Sequence, residues 1–229
     1  MLSETKDTCL ICDCDGVLID SEVISSRQEA EVLQSLGLSL STEDVIRRFT
    51  GYSQKDIRRI IEHDFLVVLP DNFEKIVSSR LNMAFAEELV PIPGVKKALM
   101  SLRLQTCVAS SSSLARLQFT LNLAGLFDFF QRRIFSSSQV ARGKPAPDLF
   151  LFAAREMGYA PAHCIVVEDS VAGVTAATSA GMTAIGFVGG SHCQPGDEAR
   201  LRAAGASRVV SSWHDLLHSL NHADATFAR

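Results

Sequence analysis

The sequence predicts an α/β protein: a doubly wound parallel sheet with an all-helical segment inserted after the first strand. Three observations carry this. A short apolar run, Cys9-Leu10-Ile11-Cys12, leads directly into Asp13 and Asp15, one residue apart, and then Gly16. From about residue 21 to residue 90 the hydrophobic spacing is helical throughout. From residue 94 onward, short strand-like runs alternate with helical stretches, which is the rhythm of parallel βαβ units.

Composition narrows the function. With 229 residues, 47% hydrophobic and 21% charged, the chain can bury a full core and reads as a soluble globular protein. A formal charge of −4 leaves no basic footprint for nucleic acid. No apolar run is long enough to cross a bilayer, and Met1–Asp7 lacks the charged and apolar regions of a signal peptide. A cytoplasmic protein without nucleic-acid or membrane partners is expected. Composition identifies no oligomer interface, so the oligomeric state is left open, a monomer among the options. Of the six cysteines, Cys9, Cys12, Cys107 and Cys164 lie in or beside strand-like runs, where a thiol packs as a small hydrophobe. Cys9-x-x-Cys12 has redox spacing, but that motif works at a helix N-terminus rather than within a strand.

The elements follow in order. Cys9–Cys12 is the first strand. Val23, Ile24, Ala30, Val32, Leu33 and Leu36 recur at helical spacing, and Gly37 is suited to end that helix. Ser41 or Thr42 caps a second helix, with Glu43-Asp44 in its first turn and Val45, Ile46 and Phe49 on one face. Thr50-Gly51-Tyr52-Ser53 interrupts before a third helix through Ile57, Ile60 and Ile61, and Pro70 opens a fourth reaching about Leu89. Two prolines in Val90-Pro91-Ile92-Pro93-Gly94 mark a boundary. Helices are then expected near 94–103, 113–124, 147–157 and 170–180. Strands are expected at Thr106–Ser110, Arg133–Phe135, Cys164–Glu168, Thr183–Val188 and Arg208–Val210. The domains are accordingly residues 1–20 with 91–229, the α/β core, and residues 21–90, the helical insert.

Four of these strands lead into polar residues, and a parallel sheet gathers such ends at one edge. Asp13 and Asp15 follow the first and Ser110 ends the second. Gly143-Lys144-Pro145 follows the third after a loop, and Glu168-Asp169-Ser170 closes the fourth. Carboxylates two apart on extended chain point the same way and repel unless a cation or a shared proton neutralises them. Four carboxylates and no compact His/Cys cluster suit Mg²⁺, a hard cation that prefers oxygen.

The ordered set Asp13-x-Asp15-Gly-Val, Ser110, Lys144-Pro145 and Glu168-Asp169 resembles the four motifs of the haloacid dehalogenase (HAD) superfamily, in the family's order and over essentially the whole chain. The resemblance implies a Rossmann-like core with a helical cap. It implies Asp13 as the nucleophile that forms an aspartyl-phosphate and Asp15 as general acid/base, its carbonyl also a metal ligand. Ser110, Ser111 and Lys144 would hold phosphoryl oxygens, and Asp13, Asp15, Glu168 and Asp169 would hold Mg²⁺. The cap loop Gly51-Tyr52-Ser53 would contact substrate.

Each residue also has a plainer reading. Asp13 and Asp15 could cap the following turn, and a serine of Ser110–Ser113 could cap a helix, as could Ser170. Lys144 alone would be a surface lysine. His214, His218 and His222 lie at helical spacing and read as a solvated face. Gly189-Gly190-Ser191-His192 reads as a loop. Arg47-Arg48 and Arg58-Arg59 read as solvated faces with some capacity to guide an anion.

Within the superfamily, Asp15 argues against dehalogenation, whose halide leaving group needs no proton. Lys55 and Lys75, the lysines of the insert, lie in contexts unsuited to Schiff-base chemistry. A β-phosphoglucomutase shares the layout, but Ser25 and Gln54 stand where that enzyme has a histidine and an arginine. The stretch Asp20-Ser21-Glu22-Val23-Ile24 is similar to bacterial sugar-phosphate phosphatases, including those acting on 6-phosphogluconate. A Mg²⁺-dependent phosphatase of a small phosphomonoester is therefore expected. The alternatives are an isomerase of the mutase kind and a non-catalytic phosphate-ester-binding protein.

Overall fold

The computed structural model describes residues 8–221. Six strands form one parallel sheet: β1 (Cys9–Cys12), β2 (Gln105–Ser110), β3 (Ile134–Ser136), β4 (Cys164–Glu168), β5 (Thr183–Phe187) and β6 (Arg208–Val210). Their order across the sheet is β3-β2-β1-β4-β5-β6. The chain winds outward from β1 to β3, then returns to lay β4 on the other side of β1. β1 and β4 therefore flank the switch point, and the crevice beyond their C-terminal ends is where open α/β sheets bind ligands.

Both faces of this sheet are buried, which explains the near-continuous apolar runs. Leu10, Cys12, Val108, Val167 and Ile185 belong to one core cluster. Their neighbours Cys9, Ile11, Cys107, Ala109, Val166 and Ala184 belong to the other. Helices α5 (Val95–Ser101), α6 (Leu114–Leu123), α7 (Phe127–Phe130) and α11 (Trp213–Asn221) contribute to the first cluster. Helices α8 (Asp148–Met157), α9 (Val171–Ser179) and α10 (Asp197–Ala203) cover the second. Trp213 is fully buried, and its indole N–H donates to the Val17 carbonyl (2.8 Å), tying α11 to the loop after β1.

Between β1 and α5 lie four helices: α1 (Glu22–Ser35), α2 (Thr42–Phe49), α3 (Gln54–Phe65) and α4 (Phe73–Glu88). They share a cluster of their own, which draws all its fully buried members from Ile24 to Phe85. The chain leaves and re-enters the sheet layer side by side: Asp20 N donates to Val90 O and Ile92 N to Leu18 O, both at 2.9 Å. Ser41 is the cap of α2, in a reciprocal capping box with Asp44.

Three details depart from expectation. α4 begins at Phe73 because Pro70 opens a turn, with Phe73 N donating to Pro70 O (2.9 Å). β3 starts at Ile134 and runs to Ser136, aligned on Val108–Ser110. Two short helices, α7 and α10, add to the expected elements: four residues are too few to show a periodicity, and α10 follows Pro195-Gly196. The Asp197-Glu198 pair at the start of α10, ion-paired to Arg200 and Arg202, was its legible signal. The terminal stretch from 222, including His222, lies outside the described residues. Among the described residues no helix is long and apolar enough to cross a membrane.

Candidate active site

Strand register creates the site. Cys12 is aligned with Val108 on one side and Val167 on the other, so the residues that follow each strand converge. Asp13 N donates to Val167 O (3.0 Å), which pins the first carboxylate beside the end of β4. Lys144, whose side chain is wholly buried, donates from Nζ to Asp13 Oδ1 (2.8 Å) and the Ala109 carbonyl (3.2 Å), and pairs with Glu168. Its ammonium also lies 5.0 Å from the centre of the Phe150 ring. Burial opposes that charge, but Asp13 and Glu168 outweigh it and hold Lys144 above the usual lysine range. The carboxylates are the strained partners. Burial, and then repulsion from Glu168, Asp169 and Asp15, push Asp13 well above the usual carboxylate range despite Lys144, and burial raises Glu168 too.

Asp13, Glu168 and Asp169 present carboxylate oxygens within 4.8 Å of one another. Both oxygens of Asp169 are buried without a hydrogen bond, although His192 Nε2 stands 3.0 Å from Oδ2 as an ion-pair contact. Burial disfavours a charged imidazole there; contact with Asp169 outweighs it and raises His192 to about 11. An all-oxygen set with excess negative charge, in which Asp169 Oδ1 is buried without a partner, fits a hard divalent cation.

Two glycines make room for these carboxylates. Gly16 has φ +76°, and a Cβ there would fall 1.8 Å from Asp169 Oδ2. Gly16→Ala is expected to displace Asp169 and weaken divalent-cation binding at least about 10-fold by calorimetry, the scale of losing a metal-orienting group. Gly173 lies in α9, where Ala would ordinarily stabilise by about 1 kcal/mol. Its Cβ, however, would lie within 2.2 Å of all three carboxyl atoms of Glu168. Gly173→Ala is therefore expected to lower the thermal midpoint, reversing the sign that helix propensity alone gives.

Asp15 does not cap a helix. Its carboxylate accepts from Ser21 Oγ (2.7 Å), Ser112 Oγ (2.8 Å) and Ser110 Oγ (3.3 Å), and the Arg116 guanidinium lies 3.8 Å away. The serine run divides its work: Ser113 caps α6, and Ser111 Oγ donates to the Gly51 carbonyl (2.8 Å). Ser170 caps α9 and also donates to Glu168 Oε2 (2.9 Å). Gly51, at φ +88°, lets the loop after α2 lie against the sheet edge; a Cβ there would sit 2.3 Å from Ser170 Oγ. Tyr52 lines a pocket between the insert and the sheet edge, beside Asp13 and Asp15, whereas the Ser53 hydroxyl is taken up as the cap of α3.

The structure thus brings together Asp13, Asp15, Ser110, Lys144, Glu168 and Asp169. It adds residues that the sequence reading left out. His192, assigned to a loop, faces Asp169. Arg116 reaches from α6 to Ser25 Oγ (2.8 Å) and stacks 5.0 Å over Phe85. Glu22 and Glu29 line the same pocket; burial raises them to about 8 and about 7, with Asp169 adding to the first and Gln54 opposing the second. Arg116 had a signal: a cation in the first turn of a helix faces the positive end of the dipole and needs another reason to be there. The arginine pairs of the insert are largely neutralised, Arg47 by Asp44, Arg58 by Glu62 and Glu74, and Arg59 by Asp56. All six cysteines are free, with Cys9 and Cys12 buried.

Known proteins resemble this chain in sequence and fold. The haloacid dehalogenase-like hydrolase family model matches residues 8–181. The 6-phosphogluconate phosphatase of Escherichia coli K12 is 33% identical over 184 residues, 80% of this chain and 83% of that one. The phosphorylated carbohydrates phosphatase of Thermotoga maritima is 32% identical over 180 residues, 77% of this chain and 82% of that one. A haloacid dehalogenase-like protein of unknown function from Agrobacterium tumefaciens C58 superposes with TM-score 0.81 at 37% identity, covering 94% of this chain and 98% of its own. A HAD family hydrolase from Deinococcus radiodurans R1, solved with phosphate and sodium, gives 0.74 at 33% identity and 97% coverage of both chains. The converging strand ends, the buried acidic cluster and these matches together make the chain a member of the haloacid dehalogenase-like hydrolase family.

Proposed function

We propose that the protein is a Mg²⁺-dependent phosphatase of a small phosphomonoester, a sugar phosphate in particular, working through an aspartyl-phosphate. The observation that carries this is a division of labour between two aspartates. Asp13 is buried, unprotected by hydroxyls and charge-balanced by Lys144. Asp15 is oriented by three serine hydroxyls, as a proton carrier must be. The relatives that act on 6-phosphogluconate and phosphorylated carbohydrates support the substrate class.

In this reading an Asp13 oxygen attacks phosphorus, the ester P–O bond breaks, and Asp15 gives its proton to the departing alcohol. Asp15 then takes a proton from water, which attacks the acyl phosphate, frees inorganic phosphate and restores Asp13. Lys144, Ser110 and Ser111 hold the phosphoryl oxygens. Mg²⁺ held by Asp13, Glu168, Asp169 and the Asp15 carbonyl would neutralise charge between nucleophile and phosphate. Residues 21–90 act as the cap domain over a core of 1–20 and 91–229, with Gly51-Tyr52-Ser53 carrying the loop that closes on substrate. Support for a separate cap comes from its private core and from the paired strands of chain at its root.

The isomerase reading needs a seat for a second phosphate. The one cation among the residues lining the pocket, Arg116, is held by Ser25 and shares the pocket with Glu22 and Glu29. A binding protein would not need Asp15. The test is phosphate release from a panel of metabolite phosphomonoesters with Mg²⁺ or EDTA, with glucose 1-phosphate conversion followed in parallel. Mg²⁺-dependent release is expected. Isomerisation that depends on catalytic bisphosphate and frees little phosphate would overturn the reading.

A further inference from the structure

The pocket between the insert and the sheet edge contains a matched pair of unmet hydrogen-bonding groups. Arg116 Nε and Gln54 Oε1 are both buried without a partner, and both residues line the pocket beside Asp15. One is a donor and the other an acceptor. Each is held from behind. Arg116 is fixed by Ser25 and the face of Phe85, while Gln54 Nε2 donates to the buried carboxyl of Glu29. Glu29 fixes how the Gln54 amide is turned: its carboxyl accepts from Nε2, which leaves Oε1 as the atom without a partner.

The chemistry of the vacancy is specific. A hydroxyl both donates and accepts, so neighbouring hydroxyls on a carbon chain satisfy an Arg N–H and a Gln carbonyl together. An alkyl chain satisfies neither and leaves both desolvated. A second phosphate would meet Glu22 and Glu29 in the same pocket. We propose that Arg116 and Gln54, backed by Ser25 and Glu29, form a hydroxyl-reading subsite for the leaving alcohol, which selects phosphomonoesters of polyhydroxylated chains over alkyl esters and bisphosphates. The proposal rests on the phosphatase reading for the word "leaving", but the binding preference itself does not require turnover.

The test is therefore made on binding. Full-length Asp13→Asn protein is titrated calorimetrically with a hexitol monophosphate, with hexyl phosphate and with a hexitol bisphosphate, in Mg²⁺. The hexitol monophosphate is expected to bind about 10- to 100-fold more tightly than either of the others, the range for leaving buried polar groups unmet. Adding Gln54→Leu or Arg116→Met should collapse the preference over hexyl phosphate to within about 3-fold, the methionine keeping the contact with Phe85. Equal binding of hexitol and hexyl phosphates, or a preference that survives both substitutions, overturns the subsite. Failure of the phosphatase reading shows elsewhere, as absence of phosphate release by the unsubstituted protein.

Discussion

Asp13→Asn protein is expected to lose at least about four orders of magnitude in phosphate release while keeping its fold, the scale seen when a covalent nucleophile is removed. The substitution is isosteric, and the backbone N–H to Val167 O bond that places residue 13 is untouched. It also removes one negative charge from a buried group that Glu168, Asp169 and Asp15 all repel. The thermal midpoint should therefore hold or rise as activity vanishes. That opposition of signs separates loss of chemistry from loss of structure. Asp15→Asn provides the complement. It leaves the nucleophile in place, so an aryl phosphate, whose leaving group needs no proton, should still phosphorylate the enzyme once. Intact-mass measurement should then find one phosphoryl group on Asp15→Asn and none on Asp13→Asn, with turnover of Asp15→Asn on alkyl esters down about 10²- to 10⁴-fold. Residual turnover in Asp13→Asn near the unsubstituted rate would exclude Asp13 as nucleophile.

The residues that converge at the sheet edge could be read from the chain because they lie at strand ends, where topology alone dictates convergence. Cys9–Cys12 and Cys164–Glu168 are apolar runs that stop at carboxylates, and parallel pairing does the rest. How the pocket residues of the insert meet those of the sheet layer was not legible, for an equally physical reason. Ser25, Glu29, Gln54 and Arg116 lie on helices of two separately packed clusters, and nothing in their spacing says how the insert sits on the sheet. His192 was hidden differently: it lies 23 residues after Asp169 in a glycine-rich loop, and only the folded path of β5 brings it back. Ser53 shows the local rule, since a serine just before a helix is used as its cap.

Lys144→Met is expected to lower stability by about 3–5 kcal/mol at neutral pH, the usual result of removing one partner of a buried ion pair. For a chain of this size that corresponds to a fall of about 6–20 °C in thermal midpoint. The side chain is wholly enclosed between Asp13 and Glu168, so neither carboxylate can recover its charge balance from water. The sign of the pH dependence follows. Lys144 is held above its ordinary range, so its contribution is complete below the unfolded lysine pKa and is lost only in strong alkali. Asp13 and Glu168 are both raised, so each favours the folded state below its unfolded pKa and opposes it as pH climbs through the folded value. Without the ammonium those folded values rise further. The stability gap between Lys144→Met and the unsubstituted protein should therefore be small near pH 4 and widen toward pH 8. Added Mg²⁺ should narrow the gap at pH 8, because a cation among Asp13, Glu168 and Asp169 supplies part of the missing charge. Denaturant melts at several pH values, with Mg²⁺ and with EDTA, measure all three effects. A gap that is constant across pH would mean that Lys144 supports the fold by packing on Phe150 rather than by charge, and would remove the electrostatic basis for its place at the phosphoryl group.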